Sequence, residues 1–239
     1  MLLNETSFKI YFGNQQDQLY QDQYYALAGN ALFEYKAFAS LHSLMPIDQL
    51  IFLRQIHAAS GLLVTKENAT LRSFSYEGDF LITKERNIGL GVMTADCLPI
   101  VFYDSCNKAI GIAHAGWKGT VNHIVIHTLR AMQKNFETKL EDLQIYFGPS
   151  AQACCYEVTS EFLSYFESFS FAEQVIIKRG EKFFFDLVAC NRLQLEAQGI
   201  KQDQMRIDYA LCTIEDGSFF SHRRQPSCLG RQMTVICLS

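Results

Sequence analysis

The 239-residue sequence predicts an α+β fold in which a large mixed β-sheet is flanked by helices. Three observations lead there. Short apolar, β-branched runs recur between turn signals. Helical periodicities separate some of these runs, while others follow one another across short turns, which is not a regular βα alternation. Hydrophobic residues make up 49% and charged residues 19%, enough apolar surface for a sizeable core. No shift in composition divides the chain, so residues 1–239 are expected to form a single domain.

Taken in order, the Gln-rich opening from Gln15 to Gln23 reads as a solvated loop or helix rather than a functional tract. Buried strands are expected at Ile88 to Met93, Leu98 to Tyr103, Ala109 to His114, Leu143 to Phe147 and Gln232 to Leu238. A helix is expected over Val121 to Asn135, where Val121, Ile124, Val125, Thr128 and Met132 fall on one face. A second helix begins with Asp186 as N-cap and ends at Gly199 as C-cap, and a third follows Thr159.

The net charge of −4 argues against broad nucleic-acid binding, which needs a basic face to neutralise phosphates. The N-terminus has no basic segment followed by an apolar run, and no stretch reaches roughly 18 uninterrupted apolar residues. No membrane partner and a cytoplasmic location are therefore expected, and in that compartment the eight cysteines are thiols. Cys106, Cys190, Cys212 and Cys237 lie in apolar runs, where cysteine behaves as a small hydrophobe. Cys154 and Cys155 are adjacent, yet no second pair stands at zinc-ribbon spacing, so no structural four-cysteine zinc site is expected.

Three stretches carry polar residues at breaks between strands. In Gly111 to Thr120 a strand ends at His114, a glycine-containing turn follows, and a helix begins after Thr120. A helix start there offers free N–H groups to an anion, with Lys118 adding a full charge; a plain strand-to-helix turn is the equal alternative. In Thr94 to Pro99, Asp96 and Cys97 interrupt two strands. Cys97 is either an inert half-buried thiol or, beside an electropositive neighbour, a thiolate that ligates or attacks. His57 follows the apolar run Leu50 to Leu53. Together His57, Cys97 and His114 form an N₂S set of the kind that leaves a metal ion one open position. Their separations of 40 and 17 residues are not a local zinc motif.

His123 and His127 stand four apart on the expected helix, but no glutamate lies between them to serve as a base, so they read as surface residues. His222-Arg223-Arg224 and Gly230-Arg231 flank a turn at Pro226 and suit either an anion or a solvated hairpin. Gly89 and Gly91 make no dinucleotide fingerprint.

The segments Gln55-Ile56-His57, Gly78 to Thr83, Thr94 to Pro99, His114 to Thr120, Gly148-Pro149-Ser150, Cys155 to Val158, Phe220 to Arg224 and Gly230-Arg231 together resemble the motif series of the YfiH-like family, also labelled laccase-domain. The resemblance spans roughly residues 50 to 238. It implies an α+β fold distantly similar to toxin deamidases with a Cys-His pair. It implies that His57, Cys97 and His114 bind one zinc ion, with copper as the alternative. The implied activity is phosphorolysis of adenosine, inosine, guanosine and methylthioadenosine, with adenosine deamination second; the partners are thus purine nucleosides and phosphate. Bacterial members are also linked to peptidoglycan editing. On this scheme Asp96, Cys97 and His114 are the catalytic residues, Asp96 or Glu157 handles protons, Lys118, Glu157, Arg223 and Arg231 bind substrate or phosphate, and Lys118, Arg223 and Arg231 also stabilise charge.

Two departures from the family pattern stand out. Phe12-Gly13-Asn14-Gln15-Gln16 replaces a Gly-Gly-x-Ser motif, and the following Ser-Leu-Asn segment is absent. Lys118 stands where arginine is usual, keeping the charge without the bidentate fork. Two other readings therefore stay open: a metal-free hydrolase or deamidase with Cys97 as nucleophile and His114 as base, and a non-catalytic metal-binding protein. A copper phenol oxidase is disfavoured, because the six histidines include no His-x-His pair.

Overall fold

A computed structural model describes residues 1–24, 36–69 and 73–239. Its strands form two six-stranded sheets and one of three. The first runs β1 (Leu2–Asn4), β2 (Phe8–Phe12), β15 (Gly230–Leu238), β7 (Ile88–Thr94) and β4 (Gln49–Phe52), with β3 (Leu19–Tyr20) also paired to β15. The second runs β14 (Met205–Arg206), β10 (Leu143–Phe147), β8 (Leu98–Asp104), β9 (Ala109–Ala115), β6 (Phe80–Thr83) and β5 (Gly61–Leu63). Both are mixed: β4 is parallel to β7 while β15 is antiparallel to it, and β5 is parallel to β6 while β8 is antiparallel to β9. The third, of β11 (Glu157–Val158), β13 (Lys182–Phe185) and β12 (Ile176–Arg179), is small. The α+β class holds, with the expected single large sheet divided into two that stack.

Side-chain alternation explains the stacking. Val101, Tyr103, Ile110 and Ile112 of the second sheet pack against Ile10, Leu90 and Val92 of the first. Their neighbours Ile100, Phe102, Ala109 and Ala113 face the other way, onto the helices α4 (Ile124–Phe136) and α6 (Leu187–Glu196). Met93, Met233 and Val235 point out of the first sheet onto α2 (Lys36–Leu44) through Phe38 and Leu41. Central strands are thus buried on both faces, which is why they read as unbroken apolar runs. All seven residues of β7, β8 and β9 are buried. The remaining α-helices among the described residues are α1 (Gln21–Tyr24), α3 (Trp117–Val121) and α5 (Ala172–Val175).

Three helix expectations change. The helix expected over Val121 to Asn135 begins at Ile124, because His123 takes a left-handed φ of 58° that separates it from α3. In the Gly111 to Thr120 stretch the helix begins at Trp117 rather than after Thr120, and α3 is only five residues long, too short to present much of a dipole. After Thr159 the chain makes a 3₁₀ helix, Ser160–Phe166. Asp186 caps α6 as expected, accepting from the Ala189 N–H at 2.8 Å, while Gly199 (φ 98°) lies three residues beyond the helix end. Among the described residues no helix is long and apolar enough to cross a membrane.

Candidate metal centre

The site forms where the chain passes between the stacked sheets. β7 belongs to one sheet and β8 to the other, so Ala95, Asp96 and Cys97 bridge the ends of both. Opposite Leu98 in the ladder stands Ala115, and opposite Pro99 stands His114, which brings the end of β9 beside Cys97. β4 runs parallel to β7, so the turn after β4 carries His57 to the same end. β15 runs antiparallel to β7 with Gln232 opposite Thr94, which delivers Arg231 there too. The ligand atoms of His57, Cys97 and His114 all lie within 4.8 Å of one another, and Cys97 Sγ is 3.8 Å from His57 Nε2.

Asp79, which precedes β6, holds this arrangement in place. Its carbonyl accepts from the His114 N–H at 2.7 Å, and its Oδ1 lies 2.8 Å from His114 Nδ1. The same carboxylate accepts from the backbone N–H groups of Ile56, His57 and Ala58 at 3.3, 2.9 and 2.8 Å. One buried side chain thereby fixes both the His114 ring and the loop in which His57 adopts φ 59°. Such a left-handed conformation costs a non-glycine residue about 1–2 kcal/mol, which the Asp79 hydrogen bonds help to offset. Burial works against ionisation of Asp79, but His114 and the Ala58 and His57 N–H groups outweigh it and hold the carboxyl below its usual range.

The electrostatics of the pair facing Asp79 are reciprocal. Burial pushes the Cys97 thiol up, yet the His114 and His57 rings bring it down to about 6. Burial also opposes a charge on His114, and Cys97 with Asp79 reverses this, raising the imidazole to about 9. In the absence of an ion, thiolate and imidazolium stabilise each other.

Two adjoining hollows share His57, Ala95, Cys97 and His222. One of about 280 Å³ is bounded by Gln21, Gln55, Thr94 and Arg231. The other, about 370 Å³, is bounded by Trp117, Lys118, Tyr156, Leu187 and Arg223. Lys118 Nζ lies 5.6 Å from the Trp117 ring centroid, and the Arg223 guanidinium 4.9 Å from that of Tyr156. Arg231 is steadied by the carbonyls of Cys228 and Gly230 and by Gln21 Oε1. Thr94 Oγ1 is buried at the first hollow without a protein partner.

Asp96 and Glu157 fall differently from the expectation that either moves protons. Asp96 Oδ1 accepts from Thr213 Oγ1 and its Oδ2 from the Arg223 N–H, both at 2.7 Å, so the carboxylate ties down the loop carrying Arg223. Glu157 lies instead at a third hollow of about 650 Å³, paired with Lys182 Nζ at 2.7 Å. A carboxylate there is poorly placed for phosphate. Arg224 spends its guanidinium on the carbonyls of Thr213, Ile214, Asp216 and Phe219. His123 contacts Gln194, and His127 is exposed; neither is among the residues of the site. Asp79, Gln21, Gln55 and Gly116 were given no role by sequence reasoning, whereas His222 was read as part of a possible anion-binding segment. The one available signal was a carboxylate opening the apolar run after Gly78.

An ion is compatible with the donor set. With Nδ1 of His114 engaged by Asp79, Nε2 is the ring's free donor, and histidine ligands are commonly oriented by such a carboxylate. Ligand atoms around a tetrahedral zinc lie about 3.3–3.8 Å apart, comparable to the 3.8 Å between Cys97 and His57. A Cβ added at Gly116 would stand 3.0 Å from both Cys97 Sγ and His57 Cδ2, so glycine keeps the cradle open.

A family model described as multi-copper polyphenol oxidoreductase laccase matches residues 33–239. A purine nucleoside phosphorylase of Clostridium acetobutylicum is 33% identical over 185 residues, covering 77% of this chain and 75% of its own. One of Bacteroides thetaiotaomicron is 33% identical over 199 residues, 80% of this chain and 74% of its own. The crystal structure of the hypothetical protein YfiH of Bacillus licheniformis superposes with a TM-score of 0.79 at 25% identity, covering 97% and 93% of the two chains. That of YlmD from Geobacillus stearothermophilus gives 0.72 at 28% identity, covering 84% and 77%.

Proposed function

The chain belongs to the laccase-like YfiH family, and we propose that it is a metal-dependent purine nucleoside phosphorylase whose ion is held by His57, Cys97 and His114. The observation that carries this reading is the convergence of three distant ligands beside two solvent-connected hollows. The relatives' names supply the reaction class.

Zinc suits two imidazoles and a thiolate with a fourth position open, and once bound it supplies a Lewis acid to the pocket. The remaining work falls to the chain's own side chains. Trp117, Tyr156 and Leu187 give the larger hollow apolar walls for a purine. Arg231, with His222, offers donors for phosphate in the smaller one. Lys118 and Arg223 add positive charge to the hollow that Trp117 and Tyr156 line. In phosphorolysis an oxygen of hydrogen phosphate bonds to the ribose C1′ while the C1′–N9 bond breaks, and the departing purine takes up, through solvent, the proton that the phosphate gives up. Asp96 serves this step by positioning Arg223. Adenosine, inosine, guanosine and methylthioadenosine are the proposed substrates, with adenosine deamination as a further activity of the same pocket.

Replacing Cys97 by alanine is expected to abolish both metal retention and the release of hypoxanthine and ribose-1-phosphate from inosine and phosphate. Turnover at the wild-type rate would rule the scheme out. One observation favours a second reading: the Asp79, His114 and Cys97 sequence of contacts is that of a thiol hydrolase. That reading requires activity in strong chelator.

A further inference from the structure

The loops that follow β10 and β14 meet through a parallel bridge between Ser150 and Cys212. Their meeting gathers Cys154, Cys155, Cys212 and Glu215, whose ligand atoms all lie within 4.8 Å of one another. This group shares no ligand with the first centre. Cys154 Sγ is 3.3 Å from Cys212 Sγ and 3.6 Å from Glu215 Oε2. A tetrahedral zinc ion, with bonds of about 2.3 Å to sulfur and about 2.0–2.2 Å to oxygen, separates its ligand atoms by about 3.5–3.8 Å. The Cys154 separations from Cys212 and Glu215 are close to that spacing, and the remaining ones stay within 4.8 Å.

We infer that Cys154, Cys155, Cys212 and Glu215 form a second metal site, which takes one soft divalent cation of the zinc class through three thiolates and a carboxylate. Three sulfurs select against magnesium and calcium, which take oxygen ligands. Four protein ligands leave no open position, the mark of a structural rather than a catalytic ion. Ligation itself must remove two of the protons, because burial and the neighbouring sulfurs hold Cys154 and Cys155 above the ordinary thiol range. At Cys212 the facing backbone N–H groups of Glu215, Gln152 and Ile214 outweigh burial and favour the thiolate. Arg179 Nη1 donates to the Cys154 carbonyl at 3.1 Å, bringing a positive charge beside ligands whose summed charge exceeds that of a divalent ion. Cys154 and Glu215 are exposed, which leaves a path for the metal.

Each thiol that ligates surrenders its proton to solvent, and nothing is oxidised or reduced. The ion would staple two loops that serve the first centre. Cys155 adjoins Tyr156, which lines the larger hollow, and Cys212 adjoins Thr213, which holds Asp96. The competing fate of the cluster is a Cys154–Cys212 disulfide, which an external two-electron oxidant such as a disulfide or peroxide would have to drive and which consumes two of the ligands.

The test is metal stoichiometry of the full-length protein, kept reduced, stripped with chelator, dialysed against zinc and counted by elemental analysis and native mass spectrometry. Two equivalents per chain are expected for the wild type, one for Cys97→Ala, and none for Cys97→Ala combined with Cys212→Ser. Cys154→Ser and Glu215→Gln, both at exposed positions, repeat the measurement should the half-buried side of the cluster not tolerate serine. Cobalt in place of zinc in Cys97→Ala is expected to give thiolate-to-metal charge-transfer absorption that disappears on further substitution of Cys212. A Cys97→Ala protein that binds none, or a retained ion indifferent to Cys154, Cys212 and Glu215, would overturn the inference, whereas a single equivalent in the wild type that persists in Cys97→Ala would count against the first centre alone. A Cys154–Cys212 disulfide that persists in the reduced protein and blocks uptake would also overturn the inference.

Discussion

At the residue scale, the Asp79 carboxylate sits where three backbone N–H groups and one imidazole converge, an environment that stabilises its charged form. Asparagine at this position keeps the size but loses the charge and presents an N–H₂ group to donors. Asp79→Asn is expected to weaken metal binding by about 10- to 100-fold, as losses of such orienting partners do. Titration with a chromophoric competitor measures this; unchanged affinity would mean that His114 is held by something else. The neighbouring thiol gives a pH test. With its pKa lowered to about 6, Cys97 in metal-free protein is protonated below that value and a thiolate above it. Iodoacetamide labelling should therefore rise through a midpoint near 6 and level off by neutral pH, and zinc should suppress it. A midpoint in the ordinary thiol range would contradict the thiolate-imidazolium pair. Cys97 and His114 were legible because each interrupts an apolar run, where a polar group is costly without a task. Asp79 was not, since its partner lies 35 residues away and only the β6–β9 ladder joins them.

At the scale of elements, the central strands were readable almost to the residue, because burial on both faces leaves continuous apolar runs with little competing signal. The helix boundaries were less so. Nothing in His123 as a residue type announces a left-handed turn, and the apolar period runs through it from Val121 to Met132. Cys106 and Cys212 also defy their apolar neighbours: the first is exposed at a turn, and the second joins the cluster with Cys154. The turn from β9 into α3 supplies a test of its own. Gly116 has φ −73°, which alanine adopts freely, yet an added Cβ would press on Cys97 Sγ and His57 Cδ2 at 3.0 Å. Gly116→Ala is therefore expected to fold with near-normal stability while losing at least tenfold in metal affinity. Thermal melts together with metal titration separate the two effects, and an equal loss of both would show that the glycine serves the turn rather than the cradle.

At the scale of the whole molecule, the layers run from α2 through the first sheet and the second sheet to α4 and α6. The candidate ligands come from the ends of β4 and β9 and from the β7–β8 link, with Arg231 arriving on β15. A site assembled from both sheets exists only when they are correctly stacked, so His57, Cys97 and His114 showed no local spacing motif, and their grouping came from the family's ordered motifs. Because the ion lies at the centre of the proposed chemistry, the most direct measurement is phosphate-dependent release of hypoxanthine from inosine by protein as purified, stripped by chelator, and reloaded with zinc. Loss of product on stripping and its return on reloading are expected. Undiminished, phosphate-dependent turnover by the stripped protein would contradict the metal-dependent phosphorylase.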